Sequence, residues 1–203
     1  MGGRKRYVSM GMMRRWIWLV WSLTLGMGSG TPTASALEFT ADQITKIDGR
    51  THKAFIYYRD QMWRIEHHSL GPVNVTIVRK DKHLVWLLLS RMKHFKTLPY
   101  DADQDLRVTA GLDGEVSRQE IGTEIREGHP TTLYEVTTKR GEHIEQYYQW
   151  VATDLQFPMK LAKKDGSWIV EYHHVKMRSV SDYLFNLPVN FQPLEEFDAS
   201  PPV

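Results

Sequence analysis

Short apolar segments separated by turns make up most of the chain after residue 37. The segments are rich in Val, Ile, Thr, Tyr, Phe and Trp, and pairs such as Asp48-Gly49, Asp113-Gly114 and Asp165-Gly166 lie between them. This pattern is typical of antiparallel strands joined by tight turns. It predicts one large meandering sheet, closed or partly closed. We predict its strands at 38–47, 52–58, 61–68, 73–79, 83–89, 93–97, 117–126, 131–138, 143–152, 158–163, 167–176 and 190–193.

Several of these strands are apolar on both faces. Residues 84–89, Leu-Val-Trp-Leu-Leu-Leu, place apolar side chains on the two opposite sides of one strand. Residues 73–77 instead alternate, with Val73, Val75 and Ile77 opposite polar side chains. A doubly apolar strand is typical of the centre of a sandwich. It is also expected in a curled sheet whose inner face is partly filled by helices and partly free to hold an apolar ligand.

Helical signals are few. A helix is predicted at 101–106, a turn near 153–156, and a further short helix at 181–185 with Ser181 or Asp182 as its cap. Helices of this number and length cannot cover two faces of a large sheet. The predicted fold class is therefore mainly β.

The first 36 residues have the layout of a secretory signal peptide. Arg14 and Arg15 precede a 12-residue apolar run at 16–27, and small residues end in Ala34-Ser35-Ala36. The run is shorter than the roughly 17 to 25 residues that cross a bilayer. We expect cleavage near Ala36 and export to the periplasm, with an uncleaved anchor as the alternative. The chain has no cysteine, which excludes lipid attachment at an amino-terminal cysteine.

Charge excludes a nucleic-acid partner. Residues 1–36 hold five of the 26 basic and none of the 24 acidic residues, so the net charge changes from +2 to −3 without them. The basic excess thus belongs to the export signal and leaves no electrostatic case for nucleic-acid binding. Residues 37–197 are long enough for one domain with its own core, and 198–203 are expected to be a flexible tail.

Two ordered series of segments carry a family resemblance. The first contains MWRIE at 62–66, IVRKD at 77–81 and VWLL at 85–88. The second contains IGTE at 121–124, GHPTT at 128–132, WVATDL at 150–155, FPMK at 157–160 and YLFNLP at 183–188. In this order they resemble the LolA-like periplasmic lipoprotein-carrier superfamily, and especially an uncharacterised exported branch of it.

The resemblance implies a half-open antiparallel β-barrel of about eleven strands around a hydrophobic cavity, with a few short lid helices. It also implies a non-enzymatic role in binding a lipid or lipoprotein acyl chain, as in outer-membrane lipoprotein sorting, with transient membrane contact. The sequence departs from the carrier proper because Asp48-Gly49 suits a tight first turn and no clear helix precedes it.

A second hypothesis keeps the fold but fills its core. The protein would then contact an envelope partner through its surface or an open sheet edge, in sensing or assembly. The sequence does not decide between these two hypotheses, nor does it give the oligomeric state.

Under the lipid-binding hypothesis, large apolar side chains on the doubly apolar strands are candidates for the cavity lining. Ordinary core packing is the alternative role for each of them. The sequence does not show which sheet face is concave. The candidate ligand-binding residues are Phe55, Tyr57, Trp63, Ile65, Val75, Ile77, Trp86, Leu88, Tyr148 and Trp150.

Chemical motifs are weak. The pairs His67-His68 and His173-His174 lack metal-site spacing, and adjacent strand residues point to opposite faces, so a metal site would need one imidazole from each pair. No G-x-S-x-G elbow is present. We therefore expect neither a catalytic site nor a metal or other cofactor. Arg64 either pairs with Glu66 or guards a groove mouth against an anionic head group.

Overall fold

The computed structural model of the protein describes residues 37–69, 71–102 and 105–194. The predicted signal peptide at 1–36 and tail at 198–203 lie outside these residues. The described part contains twelve strands, each at a predicted position. Their bounds are β1 Glu38–Ile47, β2 Arg50–Arg59, β3 Met62–His67, β4 Val75–Arg79, β5 Leu84–Leu89, β6 His94–Pro99, β7 Glu115–Arg126, β8 His129–Arg140, β9 His143–Ala152, β10 Phe157–Lys163, β11 Trp168–Met177 and β12 Gln192–Pro193.

All twelve strands belong to one sheet with the order β12-β6-β5-β4-β3-β2-β1-β11-β10-β9-β8-β7. Neighbours are antiparallel, except that the two-residue β12 runs parallel to β6. The pairing of β1 with β11 joins the meander β1–β6 to the meander β7–β11. Because β7 and β12 are not paired to each other, the sheet is open. The predicted half-open antiparallel barrel is confirmed, with twelve strands and little helix.

Most of the hydrophobic core lies on one side of the sheet, which we call the inner face. Its largest cluster draws side chains from β1, β2 and β8–β11, and a smaller cluster around Trp63, Val78 and Val85 shares Tyr58 and Ile65 with it. Aromatic rings form its centre. The Phe39 ring lies 4.8 Å from that of Phe157 and 5.1 Å from that of Tyr58.

The opposite side of β3–β6, which we call the outer face, carries a second apolar cluster. Val75, Ile77 and Leu88 are buried there, and their cross-strand pairing continues through Trp86. Leu187 and Phe191, from the segment 180–194 that follows β11, pack against this cluster. The carboxyl-terminal segment therefore covers the second face of the doubly apolar strand β5.

This segment begins with the 3₁₀ helix Asp182–Phe185, where a short helix is predicted. Ser181 is its N-cap residue, but its side chain makes no capping hydrogen bond. The turn predicted near 153–156 is present. The helix predicted at 101–106 is wrong at its end, because Asp105 and Leu106 are not helical, and residues 103 and 104 lie outside the described part.

Two arginines fix the carboxyl-terminal segment to the outer face. Arg79 is 7% exposed, and its Nη1 donates to Phe185 O at 3.2 Å and to Asn186 Oδ1 at 3.1 Å. Asp81 pairs with the same guanidinium at 2.6 Å, and this hydrogen bond lowers the pKa of Asp81. Arg59 donates to Val180 O and pairs with Asp182. Both cations thus bond to backbone or side-chain oxygens of the segment.

Among the described residues, no helix has the length and apolarity that crossing a bilayer requires.

Phe185→Ala tests the docking of this segment. Phe185 is 0% exposed, so its truncation leaves a cavity and is expected to lower the free energy of unfolding by about 3 to 5 kcal/mol. The matched control is Tyr183→Ala in the same 3₁₀ helix. Tyr183 is 73% exposed, and its loss is expected to change stability by no more than about 0.5 kcal/mol. Urea unfolding measures both. Equal effects would show that the segment is not docked as described.

Candidate functional site

The connection between β6 and β7 crosses the inner face. β6 lies beside one edge of the sheet and β7 forms the other, so the connection between them, described at 100–102 and 105–114, passes from edge to edge. We call this segment the crossover. Its Val108 is buried in the largest core cluster, and Leu106 and Leu112 pack against that cluster. The predicted filling of the inner face by helices is thus replaced by an irregular segment.

A buried glutamine holds the carboxyl-terminal half of the crossover. Gln149, on β9, is 0% exposed. Its Nε2 donates to Thr109 O at 3.2 Å, and its Oε1 accepts from Arg118 Nη2 at 2.9 Å. The same Arg118 nitrogen donates to Ala110 O at 2.8 Å. The amide nitrogen of Gln149 therefore binds the crossover backbone directly, and its oxygen binds Arg118, which in turn binds the crossover backbone.

The other half of the crossover is held by an acidic residue. Asp105 accepts from Lys80 Nζ at 2.9 Å and from the Tyr100 hydroxyl at 2.5 Å. Gly114 ends the crossover with a φ of +72°, and a Cβ there would lie 2.6 Å from Lys139 O. Only glycine fits at this junction with β7.

The crossover does not fill the inner face. A cavity of about 670 Å³ remains between it and the ends of β1 and β8–β11. We call it the larger cavity. Its volume is within the range of 300 to 1,000 Å³ that is typical of small-molecule sites. Its lining residues are Ile47, Asp48, Asp105, Arg107, Leu112, Asp113, Thr138, Arg140, His143, Glu145, Tyr147, Leu161, Lys163, Ser167 and Trp168.

The larger cavity is amphipathic rather than purely apolar. Leu112, Leu161 and Trp168 give it apolar walls, while Glu145 carries a hydrogen-bonded network. Glu145 accepts from Lys163 Nζ at 2.6 Å and from the Tyr147 hydroxyl at 2.5 Å. The bond from Lys163 is the main cause of the lowered pKa of Glu145. Burial, with the bond to Glu145, raises the pKa of Tyr147 to about 12.

A smaller cavity, of about 220 Å³, is lined by Tyr58 and Trp63 together with residues of the crossover. Four crossover residues line both cavities: Asp105, Arg107, Leu112 and Asp113. Trp63 is 2% exposed, and its indole Nε1 is buried without a hydrogen-bond partner. Arg107 is half-buried and belongs to no ion pair between described residues. The smaller cavity therefore brings together a buried indole N–H without an acceptor and a guanidinium that forms no ion pair with another described residue.

The histidine pairs occupy other places. His173 Nδ1 lies 2.6 Å from Glu127 Oε1, and His174 Nδ1 lies 2.8 Å from Asp42 Oδ2. His67 bonds to Thr76 Oγ1 at 2.9 Å. These contacts tie the β7–β8 turn to β11 and β11 to β1. No group of three or more metal-ligating side chains is found in residues 37–69, 71–102 and 105–194.

The ten predicted ligand-binding residues divide between the two faces. Strand register places Trp63 and Ile65 on the inner face, where Trp63 lines the smaller cavity. The other eight lie on the outer face, and the cavity lining is built without them. They are Phe55, Tyr57, Val75, Ile77, Trp86, Leu88, Tyr148 and Trp150. Their role in binding a ligand stays a prediction.

Outer-face candidates have protein partners in the structure. Val75, Ile77, Trp86 and Leu88 pack beneath or beside the carboxyl-terminal segment. Lysines lie over two of the others: Lys160 Nζ is 4.8 Å from the Trp150 ring centre and Lys164 Nζ is 5.7 Å from that of Tyr148. The Phe55 and Tyr57 rings contact each other, with their centres 4.9 Å apart. Arg64 bonds to Glu66 at 2.8 Å on the same strand, which is the simpler of its two predicted roles.

The residues that line the larger cavity are missed by strand patterns alone. Leu112 and Arg107 belong to the crossover, and no periodicity predicts that this segment lies across the sheet. Tyr147 and Leu161 have the correct strand parity for one face, but parity does not say that this face is the inner one. The inner face could have been identified from the connection between β6 and β7, but only if the strand order had been known.

Comparisons with known proteins identify the fold. No protein-family model matches the chain, and no curated protein does. Among solved structures, an uncharacterized conserved protein from Thermus thermophilus is 17% identical, with a TM-score of 0.50 over 78% of this chain and 90% of that one. MucB is 13% identical, with a TM-score of 0.53 over 77% of this chain and 59% of MucB.

The comparison also includes a LolA superfamily protein from Nitrosomonas europaea, 8% identical, with a TM-score of 0.36 over 74% of this chain and 90% of that one. Identities this low concern the fold alone. The likeness to the Thermus thermophilus protein and to MucB concerns the open antiparallel sheet described above, and the predicted half-open β-barrel fold is confirmed.

Gln149→Leu tests how the crossover is held. The substitution keeps the volume but leaves Thr109 O without its donor and Arg118 without one acceptor, so a loss of about 1 to 3 kcal/mol in unfolding free energy is expected. Gln146→Leu, at an exposed position of the same strand, is the control and is expected to change stability by about 0.5 kcal/mol at most.

Hydrogen exchange locates the effect. Amides 108–112 are expected to exchange faster in Gln149→Leu and at the native rate in Gln146→Leu. Unchanged exchange at these amides would contradict the anchoring role of Gln149.

Proposed function

We propose that the protein is an exported, non-enzymatic binding protein that holds one acyl chain of a lipid or acylated protein in the larger cavity. The observation that carries the proposal is the space of about 670 Å³ left under the crossover, on the inner face of an open sheet. Export through the predicted signal peptide at 1–36 places this activity in the periplasm, where a transient contact with a membrane delivers or accepts the ligand.

The energetics favour an acyl chain as the ligand. Burying a methylene group is worth roughly 0.8 kcal/mol, so a fourteen-carbon chain gains on the order of 10 kcal/mol of gross transfer free energy. Water cannot carry such a chain in free solution at useful concentrations. Leu112, Leu161 and Trp168 offer the chain an apolar surface, and the Glu145–Lys163 pair keeps one wall polar.

Lateral access follows from the construction of the site. The crossover is an irregular segment fixed at Gln149 and Asp105, with the cavity between it and the strands. The cavity is only partly enclosed, so a ligand can enter it while Val108 stays buried and the sheet stays intact. Transfer to an acceptor then requires that the acceptor bind the ligand more tightly than the closed cavity does.

A second function rests on the edge strand β7. β7 is twelve residues long and pairs with β8 only. Val116, Ile121 and Ile125 on it are 62%, 44% and 78% exposed. An open edge with apolar side chains is suited to adding a strand from an envelope partner, as in sensing or assembly.

Binding of a fluorescent fatty acid tests the proposal. Protein purified without detergent and then stripped of lipid is expected to bind one dansyl-undecanoic acid per chain. Leu112→Trp places a larger ring in the cavity and is expected to weaken binding about tenfold or more, because the probe and the ring compete for one volume.

Ile144→Trp is the matched control. Ile144 is 64% exposed and is not among the cavity lining residues, so this variant is expected to bind as the native protein does. Thermal unfolding checks that both variants fold. If the native protein takes up no probe and mass spectrometry finds no co-purified lipid, acyl-chain binding is refuted and the β7 partner function is favoured.

A further inference from the structure

The donor groups of the smaller cavity indicate which end of a ligand the protein recognises. Trp63 Nε1 carries one hydrogen and can only donate. It is buried without an acceptor, on a residue that is 2% exposed. A buried donor without a partner has an unfavourable free energy of about 1 to 3 kcal/mol, which a ligand acceptor would remove. An acceptor oxygen of a ligand would satisfy this N–H group.

Arg107 supplies a charge at the same place. It is the only arginine that lines both cavities, and it forms no ion pair with another described residue. The electrostatic effect of Arg107 reaches side chains on the inner face. After the bond from Lys163, the charge of Arg107 contributes to lowering the pKa of Glu145, and it opposes the rise that burial causes in the pKa of Tyr172.

The acidic residues nearby leave this charge available. Asp105 lines both cavities, but it already binds Lys80 Nζ at 2.9 Å and the Tyr100 hydroxyl at 2.5 Å. Asp60 and Asp113 are exposed, where water and salt screen their charge. Glu145 is paired with Lys163. A half-buried arginine whose described acidic neighbours are paired or screened attracts an anion.

We propose that the ligand is an amphiphile with one acidic head group, a carboxylate or a phosphate monoester, which Arg107 and Trp63 Nε1 bind while its acyl chain lies in the larger cavity. This inference rests on the proposed function and adds the class of head group. Tyr58, which also lines the smaller cavity, remains protonated because burial raises its pKa to about 12, so its hydroxyl is a further donor.

Calorimetric titration with three ligands of equal chain length tests the inference: oleic acid, oleoyl-lysophosphatidic acid and the neutral monooleoylglycerol. Native protein is expected to bind at least one acidic ligand about tenfold more tightly than the neutral one. The first two ligands distinguish a carboxylate from a phosphate head group.

Three variants test the roles of Arg107 and Trp63. Arg107→Gln is expected to lose about tenfold in affinity for the acidic ligand and nothing for monooleoylglycerol, and Arg107→Lys is expected to recover part of the loss. Trp63→Phe removes only the N–H donor and part of the ring, and it is expected to weaken acidic-ligand binding severalfold. Arg91→Gln in the exposed β5–β6 turn and Trp150→Phe on the outer face are controls expected to bind as native.

Three outcomes of these titrations would overturn the inference. Equal binding of acidic and neutral ligands, unchanged in Arg107→Gln, overturns the head-group inference and leaves acyl-chain binding standing. Binding of none of the three ligands overturns both. Loss of neutral-ligand binding in Arg107→Gln, with unchanged thermal stability, would place Arg107 against the acyl chain and also overturn the inference.

Discussion

The strand order imposes one constraint on which the rest of the structure depends: of the consecutive strands β6 and β7, β7 forms one edge of the twelve-stranded sheet and β6 lies next to the opposite edge. The chain between them has to cross the sheet, and it does so on the inner face. That crossing supplies the core with Leu106, Val108 and Leu112. It also leaves space beside it, since crossover residues line cavities of about 670 and 220 Å³.

The two apolar faces of the sheet are covered by different segments of the chain. On the outer face, segment 180–194 covers Val75, Ile77 and Leu88 and is fixed there by Arg59 and Arg79. On the inner face, the crossover covers the core only in part and brings charged groups with it. The interior is therefore mixed: Leu112 of the crossover, Leu161 and Trp168 are apolar, while Arg107 of the crossover and the Glu145–Lys163 pair are charged. The ligand that we propose, with an acyl chain and a head group, has the same two parts.

Strand positions were predictable from sequence because alternation and turn chemistry are local. The pair Asp48-Gly49, with φ values of 48° and 76°, forms the tight first turn that its residue types predict. The 3₁₀ helix at Asp182–Phe185 was predictable for the same reason. The predicted signal peptide concerns residues outside the described part, and it stays a prediction.

The cavity was not predictable to the same degree. Which side of a strand faces inward depends on long-range strand order, so eight candidate lining residues fall on the outer face while Trp63 and Ile65 fall on the inner one. Arg107 and Leu112 carry no local signal, because an irregular segment shows no period. Trp86 shows the limit most clearly: its apolar surroundings were foreseeable, but their source, Leu187 and Phe191, was not.

The most direct test of an interior ligand site is to locate the acyl chain of a bound fatty acid. Isotope-filtered nuclear Overhauser effects between unlabelled myristate and ¹³C-methyl-labelled protein are expected to join the middle of the chain to the methyl groups of Leu112 and Leu161 in the larger cavity. Contacts confined to exposed side chains such as Val189, or to the β7 residues Val116 and Ile125, would contradict an interior site for the ligand.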